Sequence, residues 1–145
     1  MYLFYKYKQG RKWVARLPHD GDLGAELEKF AREQGIKVGR VEVIGAVKEA
    51  VIGFYDQEKK EYLALKLARP LEILNCSGNL SLKDGDFKVH LHITLGDRDG
   101  RSFGGHLMPG TILFAGEAVI EELEGPELHR GYDPQTGLPL WEKEH

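Results

Sequence analysis

Only one segment of the sequence has the periodicity of an α-helix, and this limits the fold more than any other feature. In residues 22–34 (DLGAELEKFAREQ), apolar residues at i, i+4, i+7 and i+8 share one helical face: Leu23, Leu27, Phe30 and Ala31. Asp20 or Asp22 can cap the N-terminus of this helix, and Gly35 suits the position after its last turn. The rest of the chain must therefore fold mainly as strands.

The remaining apolar segments are short and are separated by polar or glycine-containing turns. We predict a β-hairpin from residues 1–7 and 12–17 joined at Lys8-Gln9-Gly10-Arg11, and further strands within 41–46, 49–56, 61–68, 70–82, 87–96 and 103–124. Most connections are too short for parallel crossovers, so the sheet should be mainly antiparallel, with the helix on one face. This predicts a single α+β domain over residues 1–145, with about eight strands and an irregular tail.

Charge and cysteine content narrow the functional classes. The 23 acidic residues outnumber the 20 basic ones, and the resulting net charge of -3 disfavours a generic polyanion binder. No apolar run is long enough for a membrane span, and the first residues lack a signal-peptide pattern. The single cysteine, Cys76, excludes an internal disulfide and lies in an apolar strand segment, so we expect it in the core. We therefore expect a cytoplasmic protein with no membrane partner.

The most informative segment is the strand at residues 88–95, because it alternates strictly between apolar and polar residues. Val89, Leu91, Ile93 and Leu95 are predicted on one face, and Lys88, His90, His92 and Thr94 on the other. His90 and His92 should therefore be neighbours on the polar face.

The turn signal that follows brings in a third histidine. Gly96-Asp97-Arg98-Asp99-Gly100 predicts a hairpin, and a turn centred near Asp99 places His92 opposite His106. Directly opposite residues share a face of the sheet, so three imidazoles should converge. A one-residue slip would reverse the facing of His106, and a bulge at Gly104-Gly105 could restore or break this register.

Three imidazoles at this spacing suit zinc or another divalent transition ion, with a fourth position left for water. The alternative is that the histidines are only the polar face of a half-exposed strand. Asp97 and Asp99 could orient imidazole N–H groups, and Glu117 could be an acid, a base or a ligand, but we favour ordinary turn residues for the two aspartates and a solvated strand position for the glutamate. The other histidines lie in turn or tail segments and are not expected at the site: His19, His129 and His145.

The order of these motifs resembles the PPC domain (plants-and-prokaryotes-conserved domain). The similar stretches are VEVIGAVKEAVIGFYD, PLEILNCSGNLS, DGDFKVHLHITLGDRDGRSFGGHL, GEAVIEEL and the late RGYDPQTGLPLW. The resemblance implies an antiparallel α+β fold and a homotrimer. It also implies a metal site that falls on His90, His92 and His106. Plant members carry the domain after AT-hook peptides in nuclear DNA-binding proteins, whereas stand-alone prokaryotic members are labelled as candidate DNA-binding proteins.

The sequence departs from the plant pattern in two places. It contains no Arg-Gly-Arg-Pro, the AT-hook core, and Arg69-Pro70-Leu71-Glu72-Ile73 replaces the plant stretch Gly-Arg-Phe-Glu-Ile. DNA binding would therefore have to come from the domain surface. The predicted helix carries a net negative charge, which makes it a poor reader of the major groove. The cations of the predicted N-terminal hairpin could contribute only weak, nonspecific phosphate binding: Lys6, Lys8, Arg11 and Lys12.

Three functions remain open from the sequence. The first is a DNA-associated or regulatory homotrimeric module with a zinc-like site. The second is a small metal-dependent hydrolase or lyase that uses the ion at His90, His92 and His106 to activate water. The third is an assembly or small-ligand module with a structural ion.

Overall fold

The computed structural model describes residues 2–143, and these contain one helix and nine strands. In chain order the elements are β1 (Lys8–Leu17), α1 (Leu23–Gln34), β2 (Gly39–Asp56), β3 (Glu61–Leu67), β4 (Leu71–Lys83), β5 (Asp86–Gly96), β6 (Ser102–Leu107), β7 (Ile112–Glu124), β8 (His129–Tyr132) and β9 (Pro139–Trp141). The predicted α+β class with a mainly antiparallel sheet is confirmed. The helix within residues 2–143 has neither the length nor the apolar character needed to cross a membrane.

The long strand β2 organises the sheet. Its first half pairs with β4 on one edge and with β7 on the other, and its second half pairs with β3 and β6. Strand β4 also pairs with β5, and β5 pairs with β6. The pairings among β2, β4, β5 and β6 therefore form a closed circuit, which leaves these strands few free edges.

The core lies between α1 and the inner face of this sheet. Leu23, Leu27 and Ala31 of the helix are buried, and Phe30 meets Trp13 of β1 edge-to-face at 5.8 Å. The helix begins as predicted, with Asp22 accepting a hydrogen bond from Ala25 N. It ends at Gly35, whose φ of 71° is in the left-handed region that glycine adopts readily.

Two predictions about strands are wrong. The expected N-terminal hairpin does not form, because residues 8–17 are one strand that pairs with β7 and residues 2–7 contain no strand. Residue 1 lies outside the described part of the chain. The supposed turn at Gly10-Arg11 is a register shift within β1, where Arg11 binds Glu122 of β7. The tail is not wholly irregular either, since β8 pairs in parallel with β4 and antiparallel with β9.

Candidate metal centre

The structure confirms the predicted facing of β5. Leu91, Ile93 and Leu95 are buried, whereas His92 is exposed and His90 half-buried on the opposite face. The predicted hairpin register is confirmed as well, because His92 pairs with His106 across β5 and β6 with no bulge at Gly104-Gly105. The three histidines therefore come together through strand alternation and register alone.

The three imidazoles form a compact cluster on the outer face of the sheet. The ring centroids are 5.2 Å apart for His90–His92, 5.3 Å for His90–His106 and 5.8 Å for His92–His106. One nitrogen from each ring can be chosen so that all three atoms lie within 4.8 Å of one another. Nitrogen ligands about 2.0–2.1 Å from a tetrahedral zinc ion lie roughly 3.3–3.4 Å apart, so the rings would have to move up to about 1.5 Å closer together to bind one ion.

The electrostatics favour the neutral form of the His90 and His106 rings. Burial lowers the pKa of His90 to about 4, with smaller contributions from Arg130 and the other two histidines. Burial also lowers the pKa of His106, and His92 adds to the effect. The buried Nδ1 atom of His106 has no hydrogen-bond partner in the described structure. Neutral imidazoles with an unpartnered nitrogen are the state that binds a transition metal, so the cluster fits such an ion.

A cavity of about 230 Å³ lies directly beside two of the three histidines. His90 and His106 line it, together with Tyr62, whose ring stacks on His106 with the centroids 4.7 Å apart. Leu138, Pro139 and Leu140 of the tail form an apolar part of its wall. His90 and His106 therefore border a partly enclosed space, whereas His92 is exposed.

Arg130 on β8 is a site residue that the sequence analysis missed. Its guanidinium donates hydrogen bonds to Ser81 Oγ, Asn79 Oδ1 and the carbonyl oxygen of Pro139, and lies over the ring of Trp141. Asn79 is the pairing partner of His90, which explains how a tail residue comes close to the cluster. The only feature of the sequence that pointed to Arg130 was the family-like segment RGYDPQTGLPLW. This segment contains Arg130 and Trp141 but does not indicate that their side chains are in contact.

The three acidic candidates are not brought into this cluster. Asp97 accepts hydrogen bonds from the backbone amides of Asp99 and Arg101, so these residues shape the β5–β6 turn. That turn begins five residues beyond His92, roughly 16 Å along the strand. Glu117 is exposed on β7 opposite Ile44 of β2, nine residues from Gly53, the β2 partner of His106.

The remaining sequence candidates have structural contacts. His19 Nδ1 lies 2.7 Å from the carbonyl oxygen of Phe114, and His129 Nε2 lies 3.0 Å from Glu127. His145 lies outside the described residues. Cys76 is fully buried, and burial raises the pKa of its thiol to about 12. These contacts place none of the described candidates in the histidine cluster.

The predicted basic patch on the first segment is partly neutralised. Arg11 forms a two-atom contact with the Glu122 carboxylate and also donates to the carbonyl oxygen of Gln34. On α1, Arg32 pairs with Asp86, and Glu28 accepts a hydrogen bond from Val89 N. Arg11 and Arg32 are therefore paired with acidic side chains, whereas among the described residues no ion pair is seen for Lys6, Lys8 or Lys12.

Comparison with known proteins gives a consistent family assignment. Residues 5–124 match the model of the Plants and Prokaryotes Conserved (PCC) domain. A metal-containing protein from Archaeoglobus fulgidus has a similar structure, with 43% identity, a TM-score of 0.94 and coverage of 98% of this chain and 100% of that one. A PPC protein from Pyrococcus horikoshii has 35% identity and a TM-score of 0.91, and the match covers 99% of each chain.

Two further similarities carry functional names. A candidate DNA-binding protein from Bacteroides thetaiotaomicron has 29% identity and a TM-score of 0.84, with coverage of 94% of this chain and 96% of that one. A bifunctional protein GlmU from Synechococcus sp. (strain JA-3-3Ab) is 39% identical over 129 residues, which is 88% of this chain and 20% of that protein. The chain thus spans only about a fifth of the length of this curated relative.

Proposed function

Because the chain belongs to the plants-and-prokaryotes-conserved (PPC) domain family, we propose that it is a metal-binding PPC module in which His90, His92 and His106 hold one divalent transition ion. Zinc is among the divalent transition ions that three neutral imidazoles suit. The observation that carries the proposal is the convergence of three imidazoles, one of which, His106, has a buried Nδ1 without a hydrogen-bond partner among the described residues. The name of the Archaeoglobus fulgidus relative, a metal-containing protein, supports it.

Metal content of protein purified without a metal-affinity tag tests this proposal. We expect about one ion per chain by elemental analysis, and a loss of at least ten-fold in affinity for His92→Ala. His92 is exposed, so its removal should leave the fold intact. His19→Ala is the matched control, because it removes an exposed imidazole outside the cluster. Unchanged metal content in His92→Ala would mean that the site is misassigned.

We further propose a homotrimer. The strands leave large apolar side chains exposed on the outer faces of the sheet, including Ile44, Phe54, Leu65 and Phe114. Apolar surface of this kind is commonly buried between subunits. The number three comes from the family resemblance. Light scattering should give three times the chain mass of 16.4 kDa, and a mass near that of one chain would refute the proposal. The cytoplasmic location remains a prediction from cysteine usage.

The Bacteroides relative is named as a candidate DNA-binding protein. For this chain we propose only weak and nonspecific binding to DNA. The net charge is -3, and the Arg11 guanidinium is engaged by Glu122. An anisotropy titration at physiological salt should give at most micromolar affinity that disappears as salt is added. Nanomolar binding with a preference for one sequence would contradict this expectation and favour a regulatory role.

A metal-dependent hydrolase or lyase is the second candidate, and the cavity beside the histidines is the observation that favours it. A three-histidine ion has an open coordination position at which water can be polarised. The cavity lining within residues 2–143 offers no carboxylate as a general base, which makes the binding module the better-supported function. Ester or phosphoester hydrolysis that is lost in His92→Ala and kept in His19→Ala would reverse this order.

A further inference from the structure

The cavity beside the histidines is strongly cationic, although the chain as a whole is acidic. Lys83, Lys88 and Arg130 line it, and no aspartate or glutamate does so among the described residues. Lys88 has one acidic neighbour, Glu28 of the helix, at 3.8 Å. Three positive charges around about 230 Å³ therefore contrast with the net charge of -3 of the whole chain.

Arg130 is the cation that most needs a counter-charge. It is half-buried, and burial lowers its pKa, which means that the surroundings disfavour its charge. All three hydrogen-bond acceptors around its guanidinium are neutral, and within residues 2–143 it forms no ion pair. A guanidinium that is desolvated, fixed by neutral groups and stacked on Trp141 is preorganised to receive a carboxylate or a phosphate.

We propose that this cavity binds a small anion, a carboxylate or phosphate group of a small molecule, which contacts Arg130 and lies next to the histidine cluster. The contact between the anion and Arg130 does not depend on the proposed function. Only a second contact, between the ligand and the ion held by the histidines, rests on the proposed function. Arg130 lines the same cavity of about 230 Å³ as His90 and His106. A ligand of a few atoms can therefore reach both.

The size and lining of the cavity restrict the ligand further. Its volume of about 230 Å³ is below the range of roughly 300–1,000 Å³ that is typical of drug-sized ligands. Leu138, Pro139 and Leu140 provide an apolar part of the lining. The geometry favours a compact metabolite with one anionic head and a short apolar portion over a nucleic acid backbone.

Isothermal titration of the zinc-loaded full chain with inorganic phosphate, and separately with acetate, tests this inference. Binding of phosphate alone would identify a phosphate ligand, and binding of acetate alone would identify a carboxylate. We expect Arg130→Gln to weaken binding of the preferred probe by at least ten-fold and Lys83→Gln to weaken it by about three-fold. Lys59→Gln is the charge-matched control, because Lys59 is exposed in the β2–β3 turn. It should bind within two-fold of the wild type.

The outcomes separate this inference from the proposed metal site. Because Arg130 also holds the tail, a thermal melt and elemental analysis should accompany each variant, and Lys83→Gln gives a second test that leaves those hydrogen bonds intact. Arg130-dependent binding that persists after removal of zinc supports the anion site even if the metal proposal fails. Binding of neither probe, or equal weakening in Lys59→Gln, would overturn the inference while leaving the metal result unaffected.

Discussion

Gly78 of β4 should be among the least replaceable residues near the candidate metal centre. It pairs with Leu91, the buried residue between His90 and His92 on β5. A Cβ atom at position 78 would lie 1.9 Å from the carbonyl oxygen of His90 and 3.0 Å from the Cα of Leu91. Because both neighbours are backbone atoms, no side-chain rotation can relieve the overlap in Gly78→Ala.

The expected cost of Gly78→Ala follows from this geometry. Strands β4 and β5 must separate by about 1 Å, which weakens the adjacent pairs Ser77–His92 and Asn79–His90. Two weakened ladder hydrogen bonds and the overpacking strain together cost about 3 kcal/mol or more. With an unfolding entropy of about 2.1 cal/mol/K per residue, each kcal/mol lowers the Tm of this domain by about 3 °C. We therefore expect a Tm about 10 °C lower, and weaker metal binding because both β5 histidines shift.

Gly24→Ala in α1 is the matched control for this experiment. Its added Cβ would meet nothing closer than 3.8 Å, which is ordinary van der Waals contact. Alanine in a helix is favoured over glycine by roughly 0.5–1 kcal/mol, so this variant should melt about 2–3 °C higher than the wild type. Differential scanning calorimetry gives both values. A Gly78→Ala protein that melts within 2 °C of the wild type and keeps its metal affinity would refute the packing argument.

Three other substitutions or conditions have expected outcomes. Asp22→Ala removes the acceptor for the amides of Ala25 and Gly110 and should cost about 1–3 kcal/mol in chemical denaturation, whereas Asp22→Asn should cost less. Cys76, with its thiol pKa raised to about 12, should resist alkylation at pH 8 until the chain is unfolded in urea. Hydrogen bonding to Arg11 lowers the pKa of Glu122, so this pair stabilises the fold above pH 4.5 and loses its contribution as the pH falls through the lowered value. Acid titration of Glu122→Gln should therefore show a smaller loss of stability.

The histidine cluster was predictable because local signals determine it. Strict alternation sets the facing of His90 and His92, and the Asp-Gly turn sets the register that brings in His106. The helix is similar, since its cap residues and its apolar face are all within one short segment. In each case the residues that decide the structure are close in sequence.

The errors occur where distant segments meet. Strand β1 pairs with β7, whose paired residues lie 99 to 116 positions later, so the local turn-like sequence at Gly10 was misleading. Strands β8 and β9 have only four and three residues, which is too short for a periodic signal. Arg130 reaches the cavity only because β8 pairs with β4, and no local pattern in the tail indicates that contact.

The strands that carry the histidines are paired more extensively than the strand that carries Arg130, so we expect the two regions to differ in local stability. The histidines are on β5 and β6 within the closed circuit of strands, whereas β8 pairs with β4 through only Leu82–His129 and Lys83–Arg130. Short elements at the end of a sheet open at lower free energy than strands paired on both edges. Amides in β8 and β9 should therefore exchange hydrogen faster than those of β5, and a bound anion at Arg130 should slow them selectively. Equal exchange in β5 and β8 would show that the tail is as firmly held as the circuit, and that ligands must enter the cavity without moving it.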